Sequence, residues 1–493
     1  MKCRIEKRYL LLPVSETAQM KRLTVGENIS LQLRLSASPD YIFPYDLRDY
    51  VGQELEIETS PQIDFAPVFI DTPDDTGIYG ERYRPVAHFS PKRGWNNDPN
   101  GLIYYEGRYH MFFQHNPVDT VWNNMHWGHA VSDDLLRWTE LEEALYPDKH
   151  GDMFSGSAIE DTENLTGLKE NGHNPLLLYY TAACEASTQR LAYSVDGGIT
   201  FRKYPRAMIE CITPANRDPK IIYCEELSAY LMPIYLEGRE FALYTSKDLL
   251  HWEKLQSIAI PEDDECPDIY PLSMDGKRFW VMTAAHDRYL VGDFSRGCFT
   301  QLFPTGRLHY GTDSYAAQTF SGIPNGRRIR IAWNRSPVPR TVVNGSMSTP
   351  HDMTLREIAG RPMLCANPIP EFAALRGEEA KGKDALPLLG RANDIVLRFP
   401  SRGVREISLM GLVLSFADGI LSWKDASMPV SEEGGICTLR IVQDVHSVEI
   451  YAHMGEATML LPHIADETLS SVSCVGAEIT AWPLASIHGS LGS

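Results

Sequence analysis

Apolar and polar residues alternate with a period of two over much of this chain, in short runs broken by Gly, Pro, Asn and Asp. Ile29-Ser30-Leu31-Gln32-Leu33-Arg34-Leu35 and Leu55-Glu56-Ile57-Glu58 are two such runs near the start. Alternation of this kind marks half-buried strands, one face on a core and the other in water. Residues 1–82 therefore read as a small N-terminal β-domain, with the polar stretch Asp71–Gly77 as its exit. From 83 to 360 the chain is a procession of short strands with the same punctuation. Residues 361–385 are richer in Pro, Ala and charge and read as a linker, with a short helix at Pro370–Arg376. Alternation returns after 386, as in Thr438–Val442 and Ser447–Tyr451, and predicts a C-terminal β-sandwich over 386–493.

The central segment carries a weak repeat. Ser132-Asp133-Asp134-Leu135-Leu136-Arg137-Trp138 recurs as Ser246-Lys247-Asp248-Leu249-Leu250-His251-Trp252. Looser copies are Ser194-Val195-Asp196, leading to Phe201, and Gly292-Asp293-Phe294, leading to Phe299. A period of about 40–60 residues with several strands per unit is the signature of a β-propeller. The Asp is expected to cap a turn and the Trp or Phe to fill the gap between blades. Four copies, with a further blade for the segment around Asp98, predict five blades. The fold class is thus all-β: a five-bladed propeller over 83–360, a C-terminal sandwich and an extra N-terminal β-domain.

At 493 residues the chain exceeds one ordinary core, which agrees with this division. The net charge of −19 argues against nucleic acid or an anionic membrane as partner. Nine cysteines lie scattered without C-x-x-C or metal-finger spacing, which predicts reduced thiols. The basic N-terminus precedes only a short apolar run that contains Pro13, so no signal peptide is read and a cytoplasmic location is expected.

The densest polar cluster is Trp95-Asn96-Asn97-Asp98-Pro99-Asn100-Gly101, set between two strand-like segments. It exceeds what a bare turn requires. Two more acidic motifs beside proline fall in other repeats: Arg217-Asp218-Pro219-Lys220 and Glu265-Cys266-Pro267-Asp268. The inner strands of a propeller converge on one axis, so carboxylates far apart in sequence can meet there. A pair of carboxylates flanking a glycosidic bond is the usual machinery of sugar hydrolysis. Asp98, among Asn side chains, and Asp218, beside Arg217, are expected to stay ionised. Glu265, next to Cys266 and Pro267, is expected in a less polar setting that keeps its proton. Trp95, Gln114, Trp122, Trp127, Phe154 and Trp333 offer stacking faces and hydrogen bonds of the kind sugar sites use. His110, His115, His126 and His129 do not complete a metal site by spacing, and no metal or cofactor is expected.

Taken in order, these motifs resemble glycoside hydrolase family 32, the β-fructofuranosidases that include levanases, inulinases and invertases. The likeness rests on Trp95–Gly101, Gln114-His115-Asn116-Pro117, His126–Ser132, Phe154–Ala158, Arg217–Lys220, Glu265–Asp268 and Tyr310–Phe320. It implies a propeller followed by a sandwich and a retaining mechanism without cofactor. It assigns Asp98 as nucleophile, Glu265 as acid and base, and Asp218 as stabiliser of the transition state. Asn97, Gln114, Trp122, Phe154, Ser155, Arg217 and Trp333 match positions lining the fructose pocket.

The sequence departs from the family pattern at Asn96, where Met or Leu is common, at Ser314, where Phe is usual, and at Met347–Asp352. None of these is one of the three carboxylates. The Trp122–His129 stretch resembles fructan-trimming members, so the expected partner is a fructose-containing oligo- or polysaccharide, with sucrose also cleaved. An invertase acting mainly on sucrose and a fructan-binding propeller without catalysis are the two competing readings.

Overall fold

The computed structural model describes residues 1–63 and 65–488, nearly all of them in strands and turns. The N-terminal alternation folds as two small sheets. One is Lys2–Arg4, Glu54–Ser60, Lys21–Val25 and Ile29–Leu33; the other is Tyr41–Asp46, Tyr9–Val14 and Val68–Ile70. Their inward residues, including Leu10, Leu12, Leu23, Leu31, Leu33 and Phe43, form one core. The polar stretch after it is tied down: Asp75 pairs with Lys92 and Arg93 at 2.9 and 2.7 Å.

Five antiparallel blades follow. Their four principal strands run 94–140, 152–203, 222–259, 268–301 and 314–368. The repeated turn joins the third and fourth strands of the first four blades, and Asp caps it by accepting backbone N–H bonds. Asp134 takes those of Leu136 and Arg137, Asp196 those of Ile199 and Thr200, and Asp248 those of Leu250 and His251. The aromatic that follows packs between blades: Trp252 lies edge-on to Tyr179 at 5.8 Å, and Phe201 to Phe112 at 5.5 Å. The number of blades is as expected, but the way of counting is corrected. Asp98 lies on the first strand of the blade that already holds the Ser132 copy. The fifth blade has no copy, because Ile358 and Arg361 are joined by the tight turn Ala359-Gly360. The ring closes where Ser321 exchanges backbone bonds with Leu102 and Tyr104, both at 2.9 Å.

The segment expected as a linker is divided between its neighbours. Arg361–Pro368 is the outer strand of the fifth blade, Pro370–Leu375 is a 3-10 helix, and Ala380–Pro387 already pairs with Ser471–Pro483. That last strand spans both layers of the sandwich, pairing with Val404–Leu409 at one end and Asn393–Pro400 at the other. Propeller and sandwich meet through buried polar contacts. Asp444 accepts the N–H groups of Val86 and Ala87, Thr349 donates to Glu449 at 3.0 Å, and His351 meets the Tyr451 hydroxyl at 2.7 Å.

Candidate active site

The inner strands of three blades carry bulges where chemistry was expected. In Gly94–Tyr105 the pairing jumps from Asn96 opposite His115 to Pro99 opposite Phe113, so Asn97 and Asp98 share one facing residue, Gln114. In Asp152–Glu160 the jump between Phe154 and Gly156 leaves Ser155 unpaired; in Ser314–Thr319 it falls between Tyr315 and Gln318. A bulge takes a side chain out of the sheet's alternation and re-aims it. Here it turns Asp98 and Ser155 toward each other. The second bulge requires glycine, since a Cβ on Gly156 would stand 1.9 Å from the Tyr179 carbonyl oxygen.

Asp98 is held from several sides. Ser155 Oγ donates to its Oδ2 at 2.6 Å and Asn97 Nδ2 to its Oδ1 at 3.2 Å. Asn97 is fixed in turn by the Trp95 indole N–H at 2.9 Å. The Cys266 thiol bridges two carboxylates, 3.6 Å from Asp98 Oδ2 and 3.5 Å from Asp218 Oδ2, and the Cys266 N–H donates to Asp218 at 3.0 Å. Glu265, the neighbour of this cysteine, receives Arg217 Nη2 at 2.5 Å and the Tyr315 hydroxyl at 2.7 Å. Arg217 Nε lies 3.7 Å from Asp218, and its guanidinium sits over the Tyr235 ring at 4.6 Å. Asp98 and Asp218 thus line one pocket with Ser155, Cys266, Pro99, Pro267 and Ala316–Gln318, and Glu265 of a third blade adjoins it as the neighbour of Cys266.

Burial weighs on the two aspartates. Burial pushes Asp98 up from the ordinary aspartate value and the Glu265 charge adds to this; the bonds from Ser155, Asn97 and Cys266 oppose it. Burial also pushes Asp218 up, to about 7, with Asp98 adding and Arg217 only partly offsetting. Taking a carboxylate out of water outweighs one neighbouring guanidinium. The less polar setting belongs to these two residues and not to Glu265. Glu265 is 30% exposed against 7% for Asp218 and is gripped by a cation and a phenol.

The backbone is strained at the same place. Asp218, Glu265 and Cys266 all have positive φ, at 65°, 52° and 42°, a region that costs a residue with a Cβ more than the ordinary helical and extended regions. Asp263 steadies the loop before Glu265, accepting the N–H groups of Asp264, His286 and Arg288 at 2.8–2.9 Å. Among the described residues, Asp263, Asp264 and His286 form one cluster close enough to face a cation. Both Asp263 oxygens are already engaged by that backbone.

The proposed pocket residues divide into two groups. Asn97, Ser155 and Arg217 touch the carboxylates directly. Trp122 stands at the rim, 51% exposed and edge-on to Phe154 at 6.0 Å. Trp333 lies edge-on to Trp95 and Tyr315 at 5.7 and 6.2 Å. Gln114 is buried behind the strand of Asp98, its amide N–H donated to the Met153 carbonyl at 2.8 Å. Sequence reasoning missed Tyr315 and the Cys266 thiol as direct partners of the carboxylates. Both lie in motifs already singled out, but a single hydroxyl or thiol carries no spacing signal.

Residues 88–368 match the family model for the glycosyl hydrolases family 32 N-terminal domain. The levanase of Bacillus subtilis is 34% identical over 342 residues, which are 63% of this chain and 50% of that protein. The invertase of Schizosaccharomyces pombe is 32% identical over 326 residues, 58% of this chain and 56% of the other. This chain thus spans about half the length of the curated levanases it matches. The crystal structure of the exo-inulinase from Aspergillus awamori superposes with a TM-score of 0.76 at 24% identity, covering 83% of this chain and 99% of that one.

Proposed function

The chain belongs to the glycosyl hydrolases family 32, and from that premise we propose a retaining hydrolase that releases terminal non-reducing β-D-fructofuranosyl units. Its substrates are fructans of levan or inulin type, fructo-oligosaccharides and sucrose. The observation that carries this reading is the meeting of Asp98 and Asp218, from two blades, at the thiol of Cys266, whose chain neighbour Glu265 comes from a third. The thiol puts the loop of Glu265 in contact with Asp98, which suits the short carboxyl separation of retaining enzymes, about 5–5.5 Å.

The Asp98 carboxylate attacks the anomeric carbon while Glu265 protonates the departing oxygen, so that one bond forms as the glycosidic bond breaks. Glu265 then takes a proton from water. The water attacks the same carbon, releasing fructose and restoring Asp98. Asp218 accepts hydroxyl bonds from the fructosyl ring and stabilises the developing positive charge. Ser155 and Asn97 keep the attacking carboxylate aimed.

Incubating the protein with levan, inulin, kestose and sucrose tests this. The expected product of the polymers is free fructose alone, first seen by NMR as the β-anomer. Asp98→Ala and Glu265→Ala should each abolish release. First appearance of the α-anomer would overturn retention, and full activity of either variant would overturn the roles. The likeness to an invertase favours a second reading, action mainly on sucrose; inert levan, inulin and kestose beside rapid sucrose cleavage would select it.

A further inference from the structure

The N-terminal β-domain braces the loop that carries Trp122 beside the pocket. The loop 117–125 leads from the second to the third strand of the first blade and carries Trp122 at the rim. Before Trp122, the loop's Val118 is fully buried in the core of the N-terminal domain. Asp119, also fully buried, receives the Arg34 N–H at 2.9 Å and the Arg34 guanidinium, with Nε at 3.0 and 3.1 Å and Nη2 at 2.5 Å. The same Nη2 reaches Thr120 Oγ1 at 2.8 Å. After Trp122, Asn124 completes the edge of the strand Ile29–Leu33. It accepts the Gln32 N–H at 2.7 Å and donates to the Gln32 carbonyl at 2.8 Å. The propeller adds bonds of its own: Asn116 donates to the Val121 carbonyl and accepts the Val118 N–H and the Asn124 amide, and Asn344 donates to the Thr120 carbonyl.

We propose that Arg34 and the strand edge at Gln32 are positioning elements for Trp122, through which the N-terminal domain sets how firmly the site holds the sugar unit attached to the scissile fructosyl. The inference rests on the proposed function above. A half-exposed indole has little core packing of its own to fix its orientation. The anchors on either side of it determine where its ring stands, and two of these belong to the N-terminal domain. The ring sits beside Phe154, which precedes the Ser155 that holds Asp98. An aromatic face placed there meets the leaving sugar and not the bond being broken. Loss of its position should therefore be felt in binding more than in chemistry.

Two variants test the idea. Arg34→Lys keeps the buried Asp119 paired but removes the guanidinium fork. Arg34→Gln combined with Asp119→Asn removes both charges without leaving one alone. With kestose, each should raise KM, the second by about threefold to tenfold, the range of one aromatic contact, with kcat within about twofold of the original. Trp122→Ala should match the larger effect, and adding the Arg34 changes to it should do nothing further, since coupled residues are not additive. Iodide quenching of the Trp122 fluorescence, taken as the difference from Trp122→Phe, should rise in the Arg34 variants whatever the protein hydrolyses. Unchanged KM together with unchanged quenching in Arg34→Lys overturns the proposal, as do multiplicative effects with Trp122→Ala. Absence of fructose release by the unaltered protein would instead count against the proposed function, and the quenching would still decide the role of Arg34.

Discussion

Under the proposed function, Asp218 should make fructose binding depend on pH. In the empty site burial pushes its carboxyl up to about 7. The charged form meets the Cys266 N–H at 3.0 Å, the Cys266 thiol at 3.5 Å and Arg217 Nε at 3.7 Å. A bound fructosyl ring brings hydroxyl donors, and donors favour the charged form. Binding therefore selects ionised Asp218, and the apparent affinity falls by the fraction ionised. That fraction is about one half at pH 7, about one tenth at pH 6 and about nine tenths at pH 8. The inhibition constant of fructose as a product inhibitor is expected to be about fivefold weaker at pH 6 than at pH 7, and less than twofold tighter at pH 8. Asp218→Asn should bind weakly with a flat profile. The sign for stability is the reverse of a salt-bridged aspartate. The folded value is raised, so the contribution is present at low pH and is lost as pH rises through about 7. A fructose inhibition constant that stays level from pH 6 to 8 in the unaltered protein would refute this reasoning.

Three further outcomes follow from contacts described above. Tyr315→Phe removes the hydroxyl bond to Glu265; at about 0.5–1.5 kcal/mol for a bond to the neutral acid, kcat/KM should fall roughly twofold to tenfold. Asn96 is fully buried, and neither end of its amide finds a partner among the described residues. Asn96→Met should therefore raise stability by about 1–3 kcal/mol, read as a higher midpoint of urea unfolding. His88 lies buried 2.7 Å from Asp444 and 3.5 Å from Glu449. Burial alone would push it down, but the two carboxylates raise it to about 10. His88→Gln should cost about 3–5 kcal/mol near neutral pH. The difference from the unaltered protein should be full below about 6.5 and shrink as pH rises through about 10; a difference constant from pH 6 to 10 would mean that His88 is neutral in the folded state.

The strands were legible because their signal is local: alternation within each run, and Asp134, Asp196 and Asp248 capping turns two to four residues away. Asp98, Asp218 and Glu265 were legible as candidates because each sits in a dense polar motif beside proline. Their protonation was not, because it depends on how much water the surrounding blades exclude. Arg217 adjoins Asp218 in the sequence, yet its guanidinium is donated to Glu265, 48 positions away. The N-terminal domain showed its own sheets but not its purpose. Arg34 and Asp119 are 85 positions apart, and nothing near either one announces the other.

Several departures from local rules meet around the three carboxylates. Asp218, Glu265 and Cys266 occupy left-handed backbone, at a cost of order 1–3 kcal/mol each. Three inner strands break register there, Trp333 keeps an indole N–H without a partner among the described residues, and two carboxylates lie where burial opposes their charge. Such a region persists only if its frame cannot relax, and cross-blade bonds supply that frame. The buried Lys220, two residues after Asp218, donates to the Thr319 carbonyl of the fifth blade and lies 3.8 Å from Asp268 of the fourth. Gln318 reaches across to the Gly156 carbonyl at 3.0 Å and accepts the Leu102 N–H at 3.2 Å, joining the fifth blade to the second and first. Every blade thus enters the bracing around the three carboxylates. Relaxing any one of them toward an unstrained, solvated position would require opening contacts between blades, and this keeps a costly arrangement in place before any sugar arrives.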